Sequence, residues 1–218
     1  MSLSFLPCCI CSQIAGDSTN DLLAKHLDSP GQYTRRIPME SEHFALIPSI
    51  GPLCPGHVLI CPKKHYRSVA ALNRGELTEF AIFKGKVSHK LRDKFRAAVH
   101  AFEHGAASNS DRLICTVDHA HMHLVPAVSE LSETILSALQ WTKLPTGISD
   151  LRSSTGGREY ISYETPSGDL FITQQDRPFE SQLMRKLFAQ PLGCSSSWNW
   201  REAPCIPDLR ATYSALVT

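Results

Sequence analysis

Residues 119–126 read His-Ala-His-Met-His-Leu-Val-Pro, so that His119, His121 and His123 alternate with apolar residues. Alternate side chains of a β-strand point to one face of the sheet and lie about 6–7 Å apart. The stretch therefore predicts a strand with three imidazoles on one face and apolar side chains on the other. The apolar face needs a core to cover it, and the flanking sequence must supply that core.

Three interpretations of the imidazole row are open at this point. The histidines can be partly exposed side chains of an edge strand. Histidines two positions apart on a strand can also bind one metal ion, as they do in zinc hydrolases. In the third interpretation, one imidazole attacks a substrate while its neighbours orient it and move its proton. The residue types alone do not decide between a metal site and a nucleophile.

The preceding sequence supplies a helix and further strands. Asn73 and Glu76 form a capping box, and apolar residues follow at spacings of three or four, which predicts one long helix over residues 73–96. Extended segments are predicted at residues 35–39, 43–47, 57–61, 97–103, 113–117 and 119–125. We therefore expect an α+β fold in which the long helix covers an antiparallel sheet.

The pattern changes after Pro126. A helix is predicted near residues 131–139, a hairpin from Tyr160–Glu164 and Leu170–Thr173, and a second helix before Pro191. We divide the chain into a first domain, residues 1–128, and a C-terminal α/β extension, residues 129–218, which packs on it.

Composition excludes several classes of protein. The 218 residues contain 22 Lys and Arg against 21 Asp and Glu, and the net charge of +1 disfavours a nucleic-acid-binding protein. No apolar run approaches the roughly 20 residues of a membrane-spanning helix. Eight cysteines are too few for a disulfide scaffold, and no Lys or Arg precedes Lys25, which argues against a signal peptide. We expect a cytoplasmic protein with reduced thiols.

The run from His119 to Val125 resembles the signature of the histidine triad (HIT) family, in which three histidines alternate with apolar residues. Residues 8–14, Cys-Cys-Ile-Cys-Ser-Gln-Ile, look like the N-terminal segment of that family, and residues 55–65 look like its central strand. The resemblance covers about residues 6–126. It implies a HIT-type antiparallel sheet with a long covering helix, and a homodimer formed by continuing the sheet across a two-fold axis.

The resemblance also implies a reaction. HIT enzymes hydrolyse or transfer nucleotides through a covalent nucleotidyl-histidine, and by position His121 is the nucleophile that attacks the α-phosphorus. His119 and His123 flank the phosphate, and His57 matches an additional catalytic histidine. Candidate substrates are dinucleoside polyphosphates, nucleoside phosphoramidates and adenylylated small molecules. The alternatives are a nucleotide-binding or sensor protein with weak turnover, and a metal-dependent hydrolase that uses the histidine row as ligands.

A structural zinc ion is implied for part of the family. Cys8 and Cys11 have the spacing of a metal knuckle, and in zinc-containing relatives such a pair is completed at the positions of His65 and His119. The alternative is that the two cysteines are small buried apolar residues.

The sequence departs from the family pattern around the substrate. Ser49 stands where many relatives have a ribose-binding Asp, and Cys115, beside Thr116, where many have a phosphate-binding Gln. Glu103 and His104 replace the usual Asn-Glu or Asn-Asp before Gly105. We take Ser49, Glu103, His104 and Thr116 as candidate substrate-binding residues, although Glu103 and His104 can equally be the end of a strand.

The extension contains side chains that stack on bases or pair with phosphates. They are Arg158, Tyr160, Gln182, Arg185, Lys186 and residues 198–201. We favour the interpretation that Trp198 and Trp200 pack the extension onto the first domain, where it covers one end of the cleft and selects the leaving group.

Overall fold

The protein is described by a computed structural model for residues 8–17, 21–27, 37–107 and 119–218. The strands are β1 Met39–Glu40, β2 Phe44–Pro48, β3 Val58–Pro62, β4 Ala98–Gly105, β5 Met122–Ala127, β6 Thr142–Lys143, β7 Tyr160–Glu164 and β8 Leu170–Thr173. The helices are α1 Cys9–Ala15, α2 Leu22–Leu27, α3 Arg74–Phe95, α4 Leu131–Ala138, α5 Leu151–Thr155, α6 Leu183–Ala189 and α7 Ile206–Val217.

All these strands form one antiparallel sheet in the order β1-β2-β3-β5-β4-β7-β8-β6. β5 lies between β3 and β4, with His123 opposite Leu59 on one side and Phe102 on the other. The predicted α+β fold with an antiparallel sheet and a long helix is confirmed. No described helix combines the length and apolar character needed to cross a membrane.

Helix α3 covers one face of the sheet, as its sequence predicts. Both hydrogen bonds of the capping box form, because the Asn73 side chain accepts from the Glu76 backbone and the Glu76 side chain accepts from the Asn73 backbone. The buried stripe of α3 packs against side chains that include Met122 and Leu124 of β5. His123 alternates with these two residues and therefore faces the opposite side of the sheet.

The opposite face is covered mainly by the C-terminal extension. Phe188 of α6 packs against Phe102, with ring centroids 5.0 Å apart, and against Tyr163 of β7. Strand β7 pairs with β4 over five residues, so residues after 128 supply three of the eight strands. The two segments thus share one sheet, and the division at residue 128 stays a prediction.

Some predicted strand boundaries are wrong. The predicted strand at 35–39 is observed only at Met39–Glu40, and residues 31–36 and 113–117 lie outside the described part of the chain. β5 begins at Met122 instead of His119, because the backbone N–H of Ala120 donates to the carbonyl of Tyr66. The predicted hairpin forms with the expected bounds.

Candidate active site

A cleft opens on the face of the sheet opposite α3, beside the start of β5. Its empty volume, counted out to the open mouth, is about 480 Å³. The lining residues come from α1, α2, β2 and the loop after it, β3, β5 and the extension: Cys9, Ile10, Gln13, Leu22, Ile47, Pro48, Ser49, Ile50, Leu59, His121, His123, Arg185 and Trp200. Such a cleft, mainly apolar with a few convergent polar groups, is typical of a small-molecule site.

Only two of the three alternating histidines line the cleft, so the expectation of three imidazoles on one wall is wrong. The rings of His121 and His123 are neighbours, with centroids 5.0 Å apart. Because residues 119–121 precede the strand, the His119 side chain does not follow the strand alternation. It turns towards Cys8, Cys11 and the carbonyl of Pro62.

The His121 ring is oriented by the backbone. Its Nδ1 lies 2.6 Å from the carbonyl oxygen of His119. Because a carbonyl oxygen only accepts, the proton of a neutral His121 ring is on Nδ1 and the lone pair is on Nε2. In the described part of the chain, no hydrogen bond occupies Nε2. The cleft is therefore lined by an imidazole with its nucleophilic nitrogen available.

A second hydrogen-bond chain fixes His57 and His123. The backbone N–H of Leu53 donates to Nδ1 of His57 at 3.1 Å, so this ring is neutral and carries its proton on Nε2. That proton is donated to Nδ1 of His123, with 2.8 Å between the nitrogens. The remaining proton of His123 is therefore on Nε2. Phe102 stacks on the His123 ring, with centroids 4.3 Å apart, and limits its rotation.

Burial also favours neutral imidazoles. Desolvation, followed by the positive charge of Arg185, holds the pKa of His57 well below its ordinary value. Burial and the neighbouring His121 and His57 have the same effect on the pKa of His123. The pKa of His121 is lowered by burial and partly restored by its bond to the His119 carbonyl. At neutral pH, His121 is thus able to act as a nucleophile.

A Cys–His cluster lies at the other end of the triad segment. The ligand atoms of Cys8, Cys11, His65 and His119 all lie within 4.8 Å of one another, so the cluster could hold a metal ion. Nε2 of His119 donates to the Pro62 carbonyl at 2.8 Å, which leaves the lone pair of Nδ1 for a ligand. This is the set of four residues that the sequence proposed.

The spacing of these atoms fits tetrahedral zinc. Zinc–sulfur and zinc–nitrogen bonds of about 2.3 and 2.0–2.1 Å place the sulfur and nitrogen ligands about 3.6 Å apart in a tetrahedron. The observed sulfur–nitrogen distances are 3.4 Å from Cys8 and from Cys11 to His119, and 3.5 Å from Cys11 to His65. The donor set of two thiols and two imidazoles is also one that zinc prefers.

The candidate substrate-binding residues lie in different places in the structure, and not all of them line the cleft. Ser49 is buried and lines the cleft. The Glu103 carboxylate instead accepts from the backbone of Val69 and from Tyr160, on the face occupied by α3, so it lies outside the cleft. His104 contacts Glu159 at 2.7 Å and does not line the cleft. Thr116 lies outside the described residues.

The charged residues that are closest to the site in sequence are not the ones that line the cleft. Lys63 pairs with Glu40 at 3.0 Å, and Lys64 lies over the ring of Tyr66, so neither lysine lines the cleft. Arg185 of the extension does line it, together with Trp200. Trp198 packs on a core cluster that contains residues of both segments, and Trp200 lies against Gly51 of the first domain, as expected for side chains that attach the extension.

Sequence reasoning missed the N-terminal part of the lining. Cys9, Gln13 and Leu22 reach the cleft from α1 and α2. Their position depends on where the helices dock, and the only local signal was the proposed attachment of the N-terminal segment through Cys8 and Cys11.

These features can be compared with known proteins. Residues 31–130 match the HIT domain. The chain is 31% identical over 83 residues to the bis(5'-adenosyl)-triphosphatase of Dictyostelium discoideum. This alignment covers 38% of this chain and 53% of that protein. It is 26% identical over 143 residues to the asymmetrical bis(5'-nucleosyl)-tetraphosphatase of Schizosaccharomyces pombe, which covers 62% of this chain and 75% of that protein.

The chain is also similar to solved structures. A histidine triad nucleotide-binding protein from Sulfolobus tokodaii is 23% identical and has a TM-score of 0.41, with 56% of this chain and 69% of that chain covered. The matched HIT region includes His57, His65, His119, His121 and His123. The chain spans only about half the length of the Dictyostelium relative.

Proposed function

We propose that this chain is a HIT-family enzyme that cleaves nucleotides at the α-phosphorus. The observation that carries the proposal is the pair of oriented ring nitrogens in one cleft, a lone pair on His121 and an N–H on His123. The match of residues 31–130 to the HIT domain supports it. The names of two relatives favour dinucleoside polyphosphates over phosphoramidates and adenylylated small molecules as substrates.

In the first step, Nε2 of His121 forms a bond to the α-phosphorus. The bond between that phosphorus and the leaving group breaks, and its electron pair departs with the leaving group. A phosphate leaving group departs as an anion and needs no proton. The His119 carbonyl, which accepts from Nδ1, stabilises the positive charge that develops on the His121 ring.

His123 and His57 act on the phosphate during this step. Nε2–H of His123 donates to a non-bridging oxygen of the α-phosphate, and His57 holds His123 in the tautomer that can do so. In the second step, a water oxygen bonds to phosphorus, the phosphorus–nitrogen bond breaks, and its electron pair returns to Nε2 of His121. The proton of the water is released to solvent. An acceptor other than water makes the enzyme a transferase.

Two alternatives are weaker. A metal-dependent hydrolase needs His119, His121 and His123 around one ion. Nδ1 of His119 instead faces the cysteines, and neither of the two candidate metal clusters among the described residues includes His121 or His123. A sensor with weak turnover is favoured by Ser49, which offers no carboxylate to a ribose. Tight nucleotide binding without an observable His121 adduct would support that sensor.

The Cys8, Cys11, His65 and His119 cluster is the zinc site of this proposal, because its donor set and spacing fit the ion. A zinc ion here would be structural, joining α1 to the segment before β5. His119 is thereby kept from proton transfer, and its carbonyl is held where His121 needs it.

The remaining roles complete the proposal. Ser49, which lines the cleft, contacts the substrate, whereas Glu103, on the opposite face of the sheet, does not. Thr116, outside the described residues, stays a predicted substrate-binding residue. No disulfide joins the seven described cysteines, and we propose a reducing, cytoplasmic location. A homodimer would have to form through a surface other than the β4 edge, and light scattering distinguishes 24.2 kDa from twice that mass.

The test follows both turnover and the covalent intermediate. The wild type and His121→Asn are incubated with diadenosine triphosphate, diadenosine tetraphosphate and adenosine 5'-phosphoramidate. We expect turnover of at least one substrate by the wild type, a loss of more than about 10³-fold in His121→Asn, and an AMP adduct on the peptide that contains His121. His89→Asn is the matched control, because His89 is exposed on α3.

Turnover that survives in His121→Asn, or an adduct on another residue, would contradict the mechanism. Circular dichroism of each variant verifies that an activity loss does not arise from unfolding.

A further inference from the structure

Arg185 is the charged side chain through which the C-terminal extension reaches the cleft. It lies in α6, is only 3% exposed, and lines the cleft beside His123 and Trp200. Its Nε donates to the carbonyl oxygen of Trp198 at 2.7 Å, and its Nη2 donates to the carbonyl of Gly51. Because both acceptors are neutral, they orient the guanidinium without neutralising it.

No Asp or Glu in the described ranges forms an ion pair with Arg185. Two of its five N–H groups donate to the Trp198 and Gly51 carbonyls, and the other three have no acceptor among the residues that the structure describes. Burial lowers the pKa of Arg185 to about 10, so it is still protonated at neutral pH. A buried cation is costly unless an anion pairs with it. The arrangement lacks that anion.

Arg185 is also the only cationic side chain among the described residues that line the cleft. His57, directly behind the cleft, is neutral because its Nδ1 accepts a backbone N–H. A nucleotide phosphate that enters beside His121 and His123 therefore meets one permanent positive charge.

We propose that Arg185 binds the phosphate oxygens of the nucleotide in this cleft, which makes the C-terminal extension part of the binding site. The inference rests on the proposed function for the identity of the ligand. The planar guanidinium presents parallel N–H groups that match two phosphate oxygens. The apolar lining from Ile10, Leu22, Ile47 and Leu59 is left for the nucleoside.

The experiment measures binding instead of turnover. Isothermal titration compares adenosine, AMP and ADP on the wild type, Arg185→Met and Arg185→Lys. We expect Arg185→Met to weaken AMP and ADP binding by roughly 10- to 100-fold while adenosine binding changes by less than about twofold. Arg185→Lys keeps the charge but not the planar guanidinium, and its affinity for AMP and ADP should lie between those of the wild type and Arg185→Met. Arg152→Met is the matched control, because Arg152 is an exposed arginine of α5.

Each outcome decides the question. Equal losses of adenosine and AMP affinity would mean that Arg185 only shapes the cleft. Unchanged AMP affinity in both Arg185 variants would mean that Arg185 does not contact the phosphate. Either result overturns the inference. If Arg185→Met does not fold, Arg185→Lys gives the same comparison. The proposed function fails separately, when the wild type binds AMP through Arg185 but neither turns over a substrate nor forms the His121 adduct.

Discussion

Gly51 holds the C-terminal segment against the cleft, and its replacement by alanine gives a sharp prediction. Gly51 is buried, has a φ of +61°, and its N–H donates to the carbonyl of Pro204 at 2.9 Å. A Cβ at this position would lie 2.6 Å from Cα of Trp200 and 2.7 Å from the carbonyl oxygen of Ala203. Both are backbone atoms, so a side-chain rotation cannot relieve the contact.

Two costs add in Gly51→Ala. The left-handed backbone conformation costs an alanine about 1–2 kcal/mol, and overpacking against fixed atoms costs about 1–3 kcal/mol more. Gly156 separates them, because its φ is +58° and a Cβ there meets no atom within 4 Å. Gly156→Ala should therefore show only the first cost. We expect Gly51→Ala to have the lower free energy of unfolding of the two, by about 1–3 kcal/mol.

Urea unfolding at 25 °C measures this difference. AMP affinity provides a second readout, because the Gly51 carbonyl accepts from Arg185 and should move when Trp200 is displaced. We expect weaker AMP binding in Gly51→Ala and unchanged binding in Gly156→Ala. If the two variants are equally stable and bind AMP equally well, the close packing of the extension against residue 51 does not exist in solution.

Three further predictions concern Glu103, the Cys–His cluster and His57. Burial, opposed by its hydrogen bonds, raises the pKa of Glu103 to about 7, so the native state retains a proton that the unfolded chain loses near pH 4.5. The free energy of unfolding should therefore fall by up to about 3 kcal/mol as pH rises between these values. Urea unfolding at several pH values measures this, and a Glu103→Gln variant with the same dependence of the free energy of unfolding on pH would refute it. His65→Ala should lower the zinc content from about one ion per chain and reduce the melting temperature. The site would be contradicted if elemental analysis found no zinc in wild-type protein purified under reducing conditions. His57→Phe leaves Nδ1 of His123 without its hydrogen-bond donor and should lower kcat about 10- to 100-fold. The control is His89→Gln at an exposed position, and an equal kcat in the two variants would exclude a catalytic role for the His57–His123 hydrogen bond.

The elements that the sequence predicts well depend on local interactions. α3 has its capping box and a stripe that fits the helical period, and the hairpin of Tyr160–Glu164 and Leu170–Thr173 has a proline-containing turn of defined length. The closeness of His121 and His123 was likewise predictable from their spacing and the family resemblance, although the strand begins only at Met122. In each case the deciding residues lie close together in sequence, so few alternative structures compete.

What the sequence did not predict depends on contacts between distant residues. Glu103 was a candidate for the cleft, but strand alternation puts it on the face opposite Phe102, and that face was fixed only when β4 paired with β5. The direction of the His119 ring depends on Cys8 and Cys11, more than 100 positions away; the strand pattern gave no sign of it, and only the family resemblance implied it. The special character of Arg185 arises because no carboxylate of the described residues pairs with it, which no local pattern encodes.

The position of β7 bears on the assembly that the resemblance implies. A sheet that continues into a second copy needs a strand with an unpaired edge, but β4 is paired with β5 on one side and with β7 on the other. The outer strands of the described sheet are β1 and β6, each two residues long and thus about 7 Å in length. Two residues provide too few hydrogen bonds to hold two copies together, because pairing at an edge gains about one bond per residue. Among the described strands, none therefore offers an edge long enough to continue the sheet into a second copy, because the extension occupies the sheet edge at β4 and brings Arg185 to the cleft within the same chain.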